Sequence, residues 1–176
     1  SDLDTPHKTL SPRMSKMIIS SHVKDGIELA NKYKLPQVLK DFILEHHGTT
    51  LVSFFYSQAL QSEDLTDDAS AQEDFRYAGP KPHFKESGIL MLADSCEAVV
   101  KSLEKPTLSK IETTINKIFK SKIDDQKLSQ CPLSFSEIEQ IRQAFLRIFK
   151  SILHSRLDYQ EELHQMMEQA KKQHES

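Results

Sequence analysis

Three histidines carry the strongest chemical signal in this chain of 176 residues: His22, His46 and His47. His22 falls four residues after Ile18 on an apolar helical stripe, and His46 falls four after Phe42 on another. His47 follows directly, and Gly48 can tighten the helix end so that both imidazoles enter one pocket. Imidazole binds zinc, manganese, iron, cobalt and nickel, and a carboxylate completes a hydrolytic metal site. Asp94 is the candidate carboxylate. It stands in an otherwise apolar helical segment, where an unpaired charge is costly, so it neutralises, pairs or ligates metal. No cation stands at positions 91, 93, 95 or 98, which makes a metal its simplest partner. The same residues admit a plainer use: one histidine on an apolar stripe also serves as a hydrogen-bonded core residue, and an intrahelical aspartate also caps a neighbour. Asp25, one turn from His22, suits an orienting hydrogen bond to its imidazole.

These side chains must be positioned by helices. Ser11 is a plausible N-cap and Pro12 a favoured first helical residue, opening a helix to about Tyr33. Its apolar residues lie on two sides, which predicts a helix packed by neighbours on both. A second helix follows from Pro36 to His47, with Leu35, Val38, Leu39, Phe42, Ile43 and His46 as its buried stripe. Thr49 or Thr50 caps a third, from Leu51 to Gln61, or donates to phosphate. Residues 61–75 are acidic and read as a solvated loop. Helices are predicted from Pro82 to Leu103 and from a Pro106-Thr107 cap to Ile123, with 124–133 as a linker. Ser134 and Glu137 form a capping box for a long last helix, from Phe135 to Lys171. Its seam, from Ile138 to Met166, is long for a helix on one domain: either it packs on the core and ends in a solvated tail, or its second half pairs with another helix or chain, which would give a homodimer through this helix.

Composition excludes several classes. With only four glycines, an all-β fold and Gly-rich phosphate loops are ruled out, and the class is all-α. A net charge of −3 argues against duplex nucleic acid as partner. No run of about 18 uncharged apolar residues exists to insert into a membrane. Two cysteines, Cys96 and Cys131, fit a reducing compartment without metal-ligand spacing.

Several segments then resemble one family: Ser21-His22-Val23-Lys24-Asp25-Gly26, Glu45-His46-His47-Gly48-Thr49-Thr50, Asp74-Phe75-Arg76-Tyr77 with Gly79-Pro80-Lys81-Pro82, and Met91-Leu92-Ala93-Asp94-Ser95. Together they look like the HD-domain phosphohydrolases, in the seven-transmembrane-receptor HD family and its bacterial cyclic-di-AMP phosphodiesterase type. The resemblance covers about residues 5–160 and implies an HD helical bundle over 1–160, with 161–176 as a polar helical tail. It implies a site of two divalent metals, usually iron or manganese, and a cyclic dinucleotide substrate, cyclic di-AMP, opened to linear pApA. By position, His22, His46, His47 and Asp94 match metal ligands, with His22 and Asp94 as the catalytic pair. Arg76, Tyr77, Lys81, Thr49 and Thr50 become candidates for substrate binding: Arg76 and Lys81 for phosphate, Tyr77 for stacking on adenine. The family places such a domain in the cytoplasm, on a bacterial inner-membrane protein.

One departure matters. The family's first histidine and its defining His-Asp pair lie upstream of Pro6-His7-Lys8, and no His-Asp dipeptide occurs here. That aspartate is the family's metal bridge. The expectation is a domain lacking its N-terminal part, holding one metal or none and hydrolysing cyclic di-AMP weakly. A non-catalytic relic that binds nucleotide or a partner, and a nucleotidase acting on mononucleotides, are the alternative functions.

Overall fold

The computed structural model describes residues 10–62 and 69–174, with side chains as far as Ser155. Among the described residues there are seven helices: α1 (Pro12–Lys32), α2 (Gln37–Glu45), α3 (Ser53–Ser62), α4 (Ala69–Asp74), α5 (Lys85–Lys101), α6 (Leu108–Asp124) and α7 (Phe135–His174). Among the described residues β pairing is confined to an isolated antiparallel bridge between Leu51 and Arg76. The all-α expectation is met. The chain divides into two compact units, Ser1–Met91 with Ile123–Pro132, and Leu92–Lys122 with Leu133–Ser176.

In the first unit α1 packs on α2 and α3. Ser11 caps α1 as expected, its Oγ accepting from the Met14 N–H at 3.3 Å. The core gathers Phe55, Tyr56 and Ala59 of α3 with Ala71 and Phe75 around α4. This corrects the reading of 61–75 as a loop. Residues 69–74 are helical because Ala71 and Phe75 have core to enter, and Arg13 donates to Asp74 at 2.6 Å across the surface. The acidic residues 63–68 lie outside the described residues.

Two further corrections concern burial. On α1, Met14, Met17, Ile18 and Leu29 are exposed, and only Ser15 and Ala30 are fully buried. On α2, Val38 and Leu39 are exposed as well. Within this chain α1 has α2 and α3 on one side, so its other apolar stripe faces solvent.

Segment 124–133 is not a mere linker either. It turns back with Lys127, Leu128 and Cys131 buried, and the Cys131 thiol donates to the Phe84 carbonyl at 3.3 Å.

In the second unit, Ile111, Ile115 and Phe119 form the buried i, i+4 stripe of α6. The Thr107 hydroxyl caps that helix, accepting from the Lys110 N–H at 3.2 Å. Phe119 meets Phe145 edge to face at 5.8 Å, and Arg142 donates to Asn116 at 2.5 Å, tying α6 to α7. The capping box forms as read: the Ser134 N–H donates to Glu137 at 2.9 Å, and the Glu137 N–H to Ser134 at 3.2 Å. Cys96 is fully buried in this unit, and burial pushes its thiol up to about 12.

Candidate metal centre

His22 projects from the middle of α1, while His46 and His47 occupy the turn that ends α2. The turn is closed by the Gly48 N–H donating to the Glu45 carbonyl at 2.9 Å, and by Gly48 in the left-handed region at φ 51°. A side chain there is disfavoured twice over, since an added Cβ would lie 2.5 Å from Cε of Met91.

The three imidazoles converge. Nε2 of His22 lies 3.2 Å from Nε2 of His46 and 3.0 Å from Nε2 of His47, and one nitrogen from each falls within 4.8 Å of the others. The remaining nitrogens explain the orientation. Nδ1 of His46 donates to the Ile43 carbonyl at 2.8 Å, and Nδ1 of His22 to the Ile19 carbonyl. Placing the proton on Nδ1 leaves Nε2 of each neutral ring as a lone pair aimed at the cluster. Two such lone pairs facing each other at 3.2 Å repel unless a positive species lies between them. Nitrogens bound at about 2.0–2.1 Å to one ion sit about 2.9–3.4 Å apart, from right-angled to tetrahedral. The donor set fits a transition metal in both chemistry and spacing.

Asp25 does not take the orienting role. Its carboxylate accepts from Ser21 at 3.3 Å, and the Ile19 main chain holds the His22 ring instead. Asp94 lies half-buried on α5, in the second unit.

Tyr77 stacks on His47 with centroids 4.2 Å apart and 25° between planes. Beside this pair opens a cleft of about 510 Å³, lined on the α1 side by Lys16, Ser20, Val23, Lys24 and Ile27. Glu28 of α1 lines it too, and Leu44, Gly48, Ala78 and Gly79 complete its wall.

The remaining candidates lie in an adjoining network. Arg76 donates to the Thr49 carbonyl at 3.2 Å and to Asp125 at 3.0 Å. Lys127 donates to the Thr49 hydroxyl at 3.0 Å and pairs with Asp125 at 3.1 Å. Lys81 donates to Ser129 at 3.1 Å. Burial alone would raise the Asp125 carboxyl, but hydrogen bonds and charge from Arg76 and Lys127 hold it below the ordinary carboxylate value. Thr49 and Thr50 do not stand at the start of α3, which opens at Ser53: Thr49 lies in the turn after the paired histidines, and the Thr50 carbonyl accepts from the Tyr77 N–H at 3.0 Å. Lys127 and Asp125 were missed by sequence reasoning, because nothing in a polar turn announces a partner 78 positions away.

No protein-family model matches the chain. A curated relative, the cyclic-di-AMP phosphodiesterase PgpH of Bacillus subtilis, is 41% identical over 160 residues. The match takes in 91% of this chain and 22% of that protein, so the chain spans about a fifth of the relative's length. The crystal structure of the HD domain of the Listeria monocytogenes phosphodiesterase PgpH superposes with a TM-score of 0.78 at 37% identity, over 88% of this chain and 70% of that one. The same domain in complex with cyclic di-AMP gives 0.77 at 39% identity, over 85% and 68%.

Proposed function

We propose, because this chain belongs to the HD-domain phosphohydrolase family, that it is a metal-dependent phosphodiesterase domain acting on cyclic di-AMP and releasing the linear dinucleotide. The observation that carries this reading is the convergence of three Nε2 atoms, two of them with their tautomers set by main-chain carbonyls. His22, His46 and His47 would hold the metal, iron or manganese, and Asp94 is assigned as a carboxylate ligand and catalytic partner on its sequence motif alone. A metal bound there supplies Lewis-acid polarisation of a phosphoryl oxygen and offsets the charge that builds on phosphorus.

The chain's own groups do the rest. The cleft beside His47 offers Val23, Ile27 and Leu44 as an apolar bed for a base, with Tyr77 as a ring to stack on. Lys16 and Lys24 stand at the same wall, Lys24 paired with Glu28 at 3.9 Å, and Lys16 complements a phosphate of a cyclic dinucleotide. Lys81 remains a candidate phosphate donor. Arg76 and Thr49 act by fixing the loop that follows the paired histidines, and Thr50 by holding the Tyr77 main chain. The family membership supports reading it as the cytoplasmic domain of a bacterial inner-membrane protein. The α7 seam supports a homodimer.

A second reading has an observation of its own. The clustered donors are three imidazoles, with no carboxylate in that group among the described residues, which favours single-metal occupancy, weak turnover and a nucleotide-binding role. One experiment separates the two. The chain is loaded with Mn²⁺, its metal counted, its cyclic di-AMP affinity measured by calorimetry, and its products resolved by chromatography. Binding with slow release of pApA is expected. Full turnover would remove the second reading, and failure of both binding and turnover would remove the first.

A further inference from the structure

Glu45 is adjacent to the paired histidines yet is not a member of their ligand group. Its residue is 2% exposed, and a carboxylate so buried must be matched by donors. It is matched by three, from His83 just before α5 and Ser87 in its first turn. The Ser87 hydroxyl donates to Oε2 at 2.6 Å, the His83 N–H donates to Oε2 at 3.2 Å, and Nδ1 of His83 meets Oε1. A carboxylate at the first turn of a 17-residue helix is also favoured by the helix dipole. The same residue closes the histidine turn through its main chain, since its carbonyl accepts from the Gly48 N–H.

We propose that Glu45 is a positioning residue for the metal-binding histidines: its buried carboxylate clamps the His46-His47 turn to the first turn of α5. This rests on the reading of His22, His46 and His47 as metal ligands. The two histidines are only half-buried, so core packing alone does not orient them. Nδ1 of His46 is set by Ile43, and Gly48 backs onto Met91 and Pro82. Glu45 anchors the other end of the four-residue turn. Glutamine in its place keeps the shape but offers one acceptor oxygen to three donors, so the clamp loosens.

The test uses the full chain and Mn²⁺ alone as probe, with E45Q, S87A and H47A beside the wild type. Mn²⁺ affinity is measured by calorimetry well below each melting temperature. Nitrogen coupling from bound imidazole is read by pulsed electron paramagnetic resonance. The wild type binds with nitrogen coupling, and H47A loses both. E45Q and S87A bind about 10- to 100-fold more weakly, as outer partners of metal ligands generally do when removed, with altered nitrogen coupling and unchanged helix content. A purely structural role would lower the melting temperature and leave both metal readouts alone. Should E45Q not fold, S87A decides, since it removes one bond of the three. If the wild type binds no Mn²⁺, the metal reading falls and Glu45 with it. If the wild type binds and the folded variants bind equally well, Glu45 alone is overturned.

Discussion

A histidine can offer a metal only the nitrogen that its other nitrogen leaves free. In His22 and His46 the main chain settles this through Ile19 and Ile43, three residues earlier on the same helix in each case. Replacing His46 by Ala is expected to remove one of three donors and weaken Mn²⁺ binding by more than the roughly 10- to 100-fold typical of an outer partner, as calorimetry will show. His22, His46 and His47 were legible in the sequence because a polar ring on an apolar helical stripe is conspicuous. Glu45 and His83 were not, because a glutamate before two histidines looks like surface until its partners on α5 are seen. Asp125 makes a second prediction. Its carboxyl is depressed in the fold, so its contribution is present above the ordinary value of about 3.9 and is lost as pH falls through the lower, folded one. The melting temperatures of wild type and D125N should therefore differ near neutral pH and draw together on acidification. A difference that grows in acid would contradict the assignment of Arg76 and Lys127 as its partners.

Among the elements, the turn from Glu45 to Gly48 bears the strictest demand. Gly48→Ala places a methyl in a left-handed conformation and against Met91, and is expected to destabilise by about 1–3 kcal/mol. Denaturant unfolding will measure the loss. Ser11→Ala, at the far end of α1, removes a cap 11 residues before His22 and should cost about 1 kcal/mol without changing metal affinity. Helices with strong boundary signals were readable: the Ser11, Thr107 and Ser134 caps all form. The elements missed or misjudged lacked a local signal. Helix α4 depends on Ala71 and Phe75 finding core, and 124–131 on Thr49, Arg76 and Phe84, all distant in sequence. Burial of α1 and α2 was overread for the same reason: periodicity states which face is apolar and leaves open what covers it.

For the whole molecule, the all-α class followed from scarce glycine and 3–4 periodicity. The division into two units did not, because the chain passes between them more than once. Among the described residues no helix is long and apolar enough to cross a membrane. The proposed tail offers a test at this scale. Deleting residues 161–176 should leave Mn²⁺ affinity unchanged and convert the proposed homodimer to a monomer in light scattering; a loss of metal binding would show that the tail is not separable. The way the first unit is assembled also has a consequence for synthesis. Its histidine turn and the loop behind it are made early, but Asp125 and Lys127, which tether that loop, leave the ribosome 78 residues after Thr49 in the case of Lys127. The nascent chain must therefore carry Arg76 and Thr49 without those partners while the whole of α6 is translated, and the loop beside the paired histidines is among the last parts of its unit to be locked.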